Sequence, residues 1–353
     1  MDRARRYSNH GQLVLELQQR LSELMGGAYA VTASSGTSAI VGAVLATAGR
    51  ARPGRNLCLM PAHTFIGSVA AVEQCGYEPY FVDVDEETWQ LSPRGLEGHP
   101  MLSATGLVLV VSAYGRVVPQ KPWAEFAAAS GVPVVVDGAA MIEAAVARPH
   151  DCIGPVPVAL SFHATKSFST GEGGAVVTTN EKIWLAALKA MNFGYDFDRV
   201  SKGPSINGKM SEYHAAVGLA ELDGWNAKLA GFRNAATLLR KIDILAASLV
   251  TAPDVASCYA LHVAASPEEG RELRRRLSAG RIGCRQWYGG GAHRHPHTAS
   301  CGRDALPVSE RLAEVLTGIP MSPDLDALDA RLIASACASD AHVARWEVRQ
   351  RAT

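Results

Sequence analysis

The chain lacks an excess of charge of either sign: 34 lysine and arginine residues stand against 34 aspartate and glutamate residues. A balanced chain sets up no broad basic field to gather nucleic acid or anionic lipid, so small-molecule partners are expected and nucleic-acid partners are not. It also lacks any apolar run of the roughly 18 residues that a membrane helix needs. The opening Met1-Asp2-Arg3-Ala4-Arg5-Arg6 leads into polar sequence rather than the apolar stretch of a signal peptide. No membrane partner and a cytoplasmic location are therefore expected. Cysteines number seven (Cys58, Cys75, Cys152, Cys258, Cys284, Cys301 and Cys337), odd and scattered without a CxxC pair. That usage argues for reduced thiols and against a disulfide framework or zinc site. Internal repeats are absent.

Apolar residues, by contrast, are plentiful, at 48% of 353. The length exceeds the roughly 250 to 300 residues beyond which chains tend to split into domains. Two domains are expected, a large one over 1–249 and a smaller one over 250–353.

Helix and strand signals alternate over the first half. Leu13, Leu15, Leu17, Leu21 and Leu24 among polar residues mark an amphipathic helix over Gly11–Met25. Val31–Gly36 reads as a short strand or turn into a helix over Thr37–Ala48. Strands follow at Leu57–Met60, Pro79–Val84, Gly106–Ser112, Val132–Asp137, Val156–Phe162 and Gly174–Thr179, with helices at Phe65–Cys75 and Trp123–Ala129. This alternation predicts a mainly parallel sheet covered on both faces, with ligand sites at the strands' carboxyl ends. Glu181 to about Leu249 reads as helical but broken at Lys202–Lys209. Beyond it come a strand over Ser257–Ala264, a helix over Pro267–Leu277 and irregular chain over Gln286–Pro307, expected to form a smaller α/β domain.

Two features carry chemistry. Ser161-Phe162-His163-Ala164-Thr165-Lys166-Ser167-Phe168-Ser169-Thr170-Gly171-Glu172-Gly173-Gly174 sets one lysine in a small-residue loop between two strand-like segments, the placement of a Schiff-base lysine. Val132–Val136 ends in Asp137, and a buried aspartate there can pair with a pyridinium nitrogen. Together Lys166 and Asp137 point to pyridoxal 5'-phosphate (PLP), an electron sink when so held. An anion site for its phosphate is available at Ser34-Ser35-Gly36-Thr37-Ser38, just before a helix whose first N–H groups are unpaired. Singly, each residue has an ordinary reading: a solvated lysine, a turn aspartate, serine N-caps, a core phenylalanine, a turn asparagine. Their joint order outweighs those readings.

That order resembles the DegT/DnrJ/EryC1/StrS family of sugar aminotransferases. The specific blocks are the Lys166 loop and Asn207 before Lys209-Met210-Ser211-Glu212-Tyr213-His214-Ala215-Ala216. Tyr7-Ser8-Asn9-His10-Gly11, Pro61-Ala62-His63-Thr64-Phe65, Phe81-Val82-Asp83-Val84-Asp85, Leu306-Pro307-Val308-Ser309-Glu310-Arg311-Leu312 and Gly318-Ile319-Pro320 extend the likeness over nearly the whole chain. The resemblance implies fold type I of PLP enzymes and a homodimer with shared active sites, cycling between PLP and pyridoxamine phosphate. It implies Lys166 as the Schiff-base residue and proton carrier, Asp137 at the pyridine nitrogen and Phe65 stacked on the ring. Ser35, Gly36, Thr37 and Ser161 would hold the phosphate, with Asn207 reaching in from the other subunit.

One departure stands out: many relatives carry glutamine or histidine three residues after the aspartate, near the cofactor's 3-oxygen, where this chain has Ala140. His163 either serves near the cofactor or packs in its loop. Related sugar dehydratases replace the lysine with histidine, so Lys166 favours amino transfer. The implied partners are L-glutamate as donor and a nucleotide-linked keto sugar as acceptor. The Ser205–Glu212 and Arg285–Gly291 blocks look most like the branch aminating C4 of a dTDP-4-keto-6-deoxyhexose. Lys209, Arg285, Trp287, Tyr288 and His293 are candidate substrate contacts, with surface arginine and core aromatics as the plain alternatives. His293-Arg294-His295-Pro296-His297 has alternating histidines but no completing cysteine or carboxylate, so no metal is expected. A PLP-dependent sugar dehydratase or lyase, and a retired PLP-binding regulatory protein, remain alternatives.

Overall fold

The computed structural model describes residues 5, 7, 10–196 and 198–338. Ser8 and Asn9 of the opening block, residues 1–4 and 6 of the polar start, and positions 339–353 of the expected smaller domain lie outside the described residues. Packing sorts the chain into two units that differ from the division at 249/250. One comprises Met1–Trp225 with Gly291–Ser309, the other Asn226–Gly290 with Glu310–Thr353.

The first unit holds a seven-stranded sheet. Its strands are β1 (Tyr29–Ala33), β2 (Leu57–Pro61), β3 (Glu78–Val82), β4 (Thr105–Val111), β5 (Val134–Asp137), β6 (Val158–Ser161) and β7 (Gly174–Thr178), in the spatial order β1-β7-β6-β5-β4-β2-β3. β2, β5 and β6 are buried along their length and β4 at every residue but Gly106, as the mostly apolar runs predicted, because helices cover both faces of a parallel sheet. β7 alone is antiparallel to its neighbours, β6 and β1. Only an antiparallel pair can be closed without a crossover helix, and the chain between β6 and β7 is the short Lys166 loop. It is laced by backbone bonds from Thr170 N–H to the Phe162 carbonyl (2.9 Å), Ala164 N–H to Gly171 (2.8 Å) and Lys166 N–H to His163 (2.9 Å).

Helix Gly36–Thr47 packs on this sheet with Ala39, Ile40, Ala43 and Val44 in the core. Helix Gln12–Leu24 starts after Gly11, which has no side chain to cap it. The buried Glu212 carboxylate does so instead, accepting from Leu13 N–H (3.0 Å) and Val14 N–H (3.1 Å) and satisfying two donors that a helix start leaves unpaired.

Gly291–Ser309 joins this unit through hydrogen bonds that no periodicity announces. β3 is the sheet's edge, and residues 302–304 pair with it: Phe81 N–H reaches the Gly302 carbonyl at 2.9 Å and Asp304 N–H the Phe81 carbonyl at 3.0 Å. Covering an edge strand in this way removes a row of unpaired groups. Asp83, just past β3, accepts from Val308 N–H (2.8 Å) and from Ser309 N–H and Oγ (2.8 and 2.7 Å), capping the helix Pro307–Val315 at its start.

The second unit has an antiparallel sheet of β8 (Leu249–Val250), β9 (Ala260–Val263) and β10 (Leu316–Ile319), ordered β10-β9-β8. Helices Pro267–Ala279 and Ala327–Cys337 bury Leu273, Leu277, Ile333 and Cys337 with it. β8 is too short for a readable period, and β10 follows helix Pro307–Val315 without a break, so neither strand was expected. The expected helical region from Glu181 resolves into Glu181–Met191 and Glu212–Arg240. Among the described residues no helix is long and apolar enough to cross a membrane.

Gly174 opens β7 where three strand ends meet, paired with Ser161 on one side and Ala33 on the other. A Cβ there would lie 2.6 Å from the Leu160 carbonyl oxygen and 2.7 Å from that of Ser35. Gly174→Ala is therefore expected to lower stability by about 1–3 kcal/mol, the usual range for overpacking, as read from a denaturant melt.

Candidate active site

Asp137 ends β5 near the middle of the sheet, and its carboxylate is buried. Oδ2 accepts from the Ser68 hydroxyl at 2.6 Å and Oδ1 from the Ala139 N–H at 3.1 Å. Burial pushes the carboxyl above its ordinary range, and the opposing pull of the Ser68 and Ala139 hydrogen bonds and of the positive charge of Lys166 offsets this only in part. Lys166, half-buried in the β6–β7 loop, is thus close enough for its charge to act on Asp137. The chain's two chemistry-bearing residues occupy one site at the carboxyl ends of β5 and β6.

Next to them lies the start of helix Gly36–Thr47. Ser35 is its N-cap, with Oγ accepting from Ser38 N–H at 3.0 Å, and Ser34, Ser35 and Ser38 form a hydroxyl cluster with 3.0 Å separations. A Cβ on Gly36 would sit 2.6 Å from the Ser161 Cβ and 2.8 Å from its Oγ. Only glycine lets Ser161 approach this helix end so closely. Thr37 faces Gly67 and Phe65: a Cβ on Gly67 would lie 3.0 Å from the Phe65 ring and 3.6 Å from Thr37 Oγ1. Phe65 itself stays 61% exposed, unlike the buried His63 and Thr64 before it, leaving an aromatic face uncovered at the carboxyl end of β2.

These features fit PLP. Glycine cradled against Ser161 at a helix start offers backbone donors and hydroxyls to a phosphate, exposed Phe65 offers a flat face to a ring, buried Asp137 offers an acceptor to a pyridinium, and Lys166 offers an amine.

Other expected residues have different surroundings. His163 is exposed, its Nδ1 2.9 Å from Thr165 Oγ1 and its Nε2 3.7 Å from Glu172. Asn207 accepts from Lys209 Nζ at 2.6 Å, and its segment is tied to the phosphate loop by Ser34 N–H to the Gly208 carbonyl at 2.7 Å. The Lys209 ammonium also lies 4.1 Å from the centre of the Phe193 ring, and partial burial lowers its pKa. His293 is buried, packed edge-on to Phe81 and beside Gly291. Arg285, Trp287 and Tyr288 belong to the second unit: Arg285 pairs with Gly318 at the end of the small sheet, its guanidinium 5.5 Å from the Trp287 ring, which packs between Tyr259 and Tyr288. Ala140 is buried and brings no polar atom beyond its backbone. Among the described residues no group of three or more histidine, cysteine, aspartate or glutamate side chains could hold a metal ion.

Sequence reading missed Ser68 and passed over Thr64. No periodicity marked them, because Thr64 precedes the Phe65 N-cap and only Ser68 lies within helix Ile66–Gln74. His63, next to Thr64, is pushed down to about 3 by burial, against the Asp83 charge, and meets the Tyr114 hydroxyl at 3.0 Å. It is neutral in the physiological range.

A family model described as the DegT/DnrJ/EryC1/StrS aminotransferase family matches residues 1–337. The chain is 32% identical over 299 residues to Protein Rv3402c of Mycobacterium tuberculosis, spanning 82% of this chain and 72% of that protein. It is 30% identical over 242 residues to the dTDP-4-amino-4,6-dideoxy-D-glucose transaminase of Shigella dysenteriae, spanning 67% of this chain and 63% of that protein. The structure of DesI in the presence of its TDP-sugar product matches at a TM-score of 0.82 and 25% identity, covering 98% of this chain and 90% of that one. The chain belongs to the DegT/DnrJ/EryC1/StrS family of PLP-dependent nucleotide-sugar aminotransferases.

Proposed function

We propose that the protein moves an amino group from L-glutamate to the C4 keto group of a dTDP-4-keto-6-deoxyhexose. The observation that carries the chemistry is the buried Asp137 carboxylate under the charge of Lys166 at the carboxyl edge of the sheet. The dTDP reading is supported by the names of the Shigella transaminase and of DesI with its TDP-sugar product.

When bound, PLP supplies an electron sink for the carbon next to the transferred nitrogen. In this reading Lys166 Nζ would anchor the cofactor and, once released, would take the proton from the donor's α carbon and pass it to the cofactor. Asp137 holds the proton on the ring nitrogen, where low polarity makes its charge count. Ser35, Gly36, Thr37 and Ser161 bind the phosphate through the N-terminal N–H groups of helix Gly36–Thr47 and through hydroxyls. Phe65 would lie against the ring and fix its plane. His163 sits at the rim, beside Glu172.

We place Asn207 at the phosphate of a second subunit in a homodimer. Lys209, the guanidinium of Arg285 and the aromatic faces of Trp287 and Tyr288 recognise the nucleotide sugar, the arginine by bidentate contact with a diphosphate or a donor carboxylate. His293 is a further proposed substrate contact. A cytoplasmic enzyme acting on soluble sugar nucleotides suits this chemistry.

Three measurements test the proposal. Lys166→Ala should abolish the visible band of lysine-bound cofactor and all turnover while leaving the far-UV circular dichroism unchanged; full transaminase activity in that variant refutes the assignment. Asp137→Ala should weaken PLP binding and lower kcat by at least about a hundredfold, the scale on which losing one preorganised electrostatic contact acts, and an unchanged rate removes the role at the ring nitrogen. Adding L-glutamate without any sugar to the PLP-loaded protein should replace the lysine-bound band with that of pyridoxamine phosphate. A band untouched by glutamate argues for another donor, a lyase or a retired site.

A further inference from the structure

Asp137 does not stand alone at the end of β5. An ionised carboxylate only accepts hydrogen bonds, so across the 2.6 Å contact the Ser68 hydroxyl is the donor. Ser68 has one proton to give and has given it. The hydroxyl of Thr64, 2.8 Å from Ser68 Oγ, must then donate to Ser68. The result is a one-directional relay, Thr64 to Ser68 to Asp137, with all three side chains buried. Chained hydroxyls polarise one another and strengthen the last bond, which here ends on a charge.

The relay also fixes geometry. Ser68 takes one lone pair of Oδ2 and Ala139 N–H one of Oδ1, which sets the plane of the carboxylate and defines which lone pairs remain for another donor. Ser68 is itself fixed by its N–H bond to the Phe65 carbonyl at 3.0 Å, so the segment that exposes the Phe65 ring also orients Asp137.

We propose that Ser68, steered by Thr64, is a positioning residue for PLP binding: its hydroxyl holds Asp137 in the orientation that accepts from the cofactor's ring nitrogen. This rests on the reading of Asp137 given above. Ser68 does not touch the reacting atoms in this scheme and acts through the carboxylate alone.

The test is PLP affinity of the apoprotein, followed by equilibrium titration, in parallel with the melting temperature of the apo form. Losing a hydrogen bond to a charged group commonly weakens binding about tenfold or more, so Ser68→Ala should raise the PLP dissociation constant about tenfold. Ser68→Thr, which keeps the hydroxyl, should restore affinity to within about threefold of the parent, and Thr64→Val should fall between them. Because contacting residues couple, adding Ser68→Ala to Asp137→Asn should weaken binding by less than about twofold beyond Asp137→Asn alone.

If Ser68→Ala binds PLP as the parent does while Asp137→Asn binds much more weakly, the role of Ser68 is wrong and that of Asp137 stands. If Asp137→Asn itself binds as the parent does, the reading of Asp137 falls and the positioning role falls with it. If Ser68→Ala weakens binding in step with a lower apo melting temperature, and Ser68→Thr restores neither, Ser68 is merely structural and the proposal is overturned.

Discussion

A carboxylate held inside the sheet, at Asp137, is the constraint on which the site depends. Burying an unpaired charge is so unfavourable that such a group either finds donors or takes up a proton. Here the donors come from Ser68, after β2, which lies one strand beyond β5's neighbour β4, and from the backbone just past the carboxylate itself, while the countercharge comes from the Lys166 loop after β6. Three separate connections at one edge of the sheet must be correctly placed before one side chain can be accommodated. The side chains that meet Asp137 therefore come from the carboxyl ends of strands on both sides of β5, from β6 beside it and from β2 beyond β4.

The reversed strand β7 follows from a related need. A parallel successor to β6 would require a crossover, whereas an antiparallel one leaves a short, hydrogen-bonded loop that holds Lys166 at the sheet's edge. The same reversal sets Gly174 between Ser161 and Ala33, and glycine at 36 then lets Ser161 close on the phosphate-loop helix. Residues from loops distant in sequence, proposed to face the cofactor, are thus drawn together by backbone approach distances that a single Cβ would spoil.

At the other side of the sheet, β3 is protected by chain from far along the sequence. Residues 302–304 pair with its open edge and Asp83 caps the helix that follows. This is why Gly291–Ser309 packs with the first unit although the chain around it, including Arg285, Trp287 and Tyr288, packs with the second. The capping of helix Gln12–Leu24 by Glu212 is the same kind of event, a buried acid satisfying backbone donors some two hundred residues away.

The sequence alone determined the strands of the large sheet, because runs such as Val134–Asp137 are apolar enough to be buried on both faces and too short for helices. It also carried the roles proposed for Lys166, Asp137 and the Ser34–Ser38 loop, because residue type and order along the chain are local properties. It could not set where the two units divide, the strands Leu249–Val250 and Leu316–Ile319, or the relay from Thr64 through Ser68 to Asp137. Those depend on which backbone groups find partners across long separations, and only the tertiary structure decides that: a hydroxyl sixty-nine residues from a carboxylate has no period or spacing that marks it until the sheet brings the two within hydrogen-bond reach.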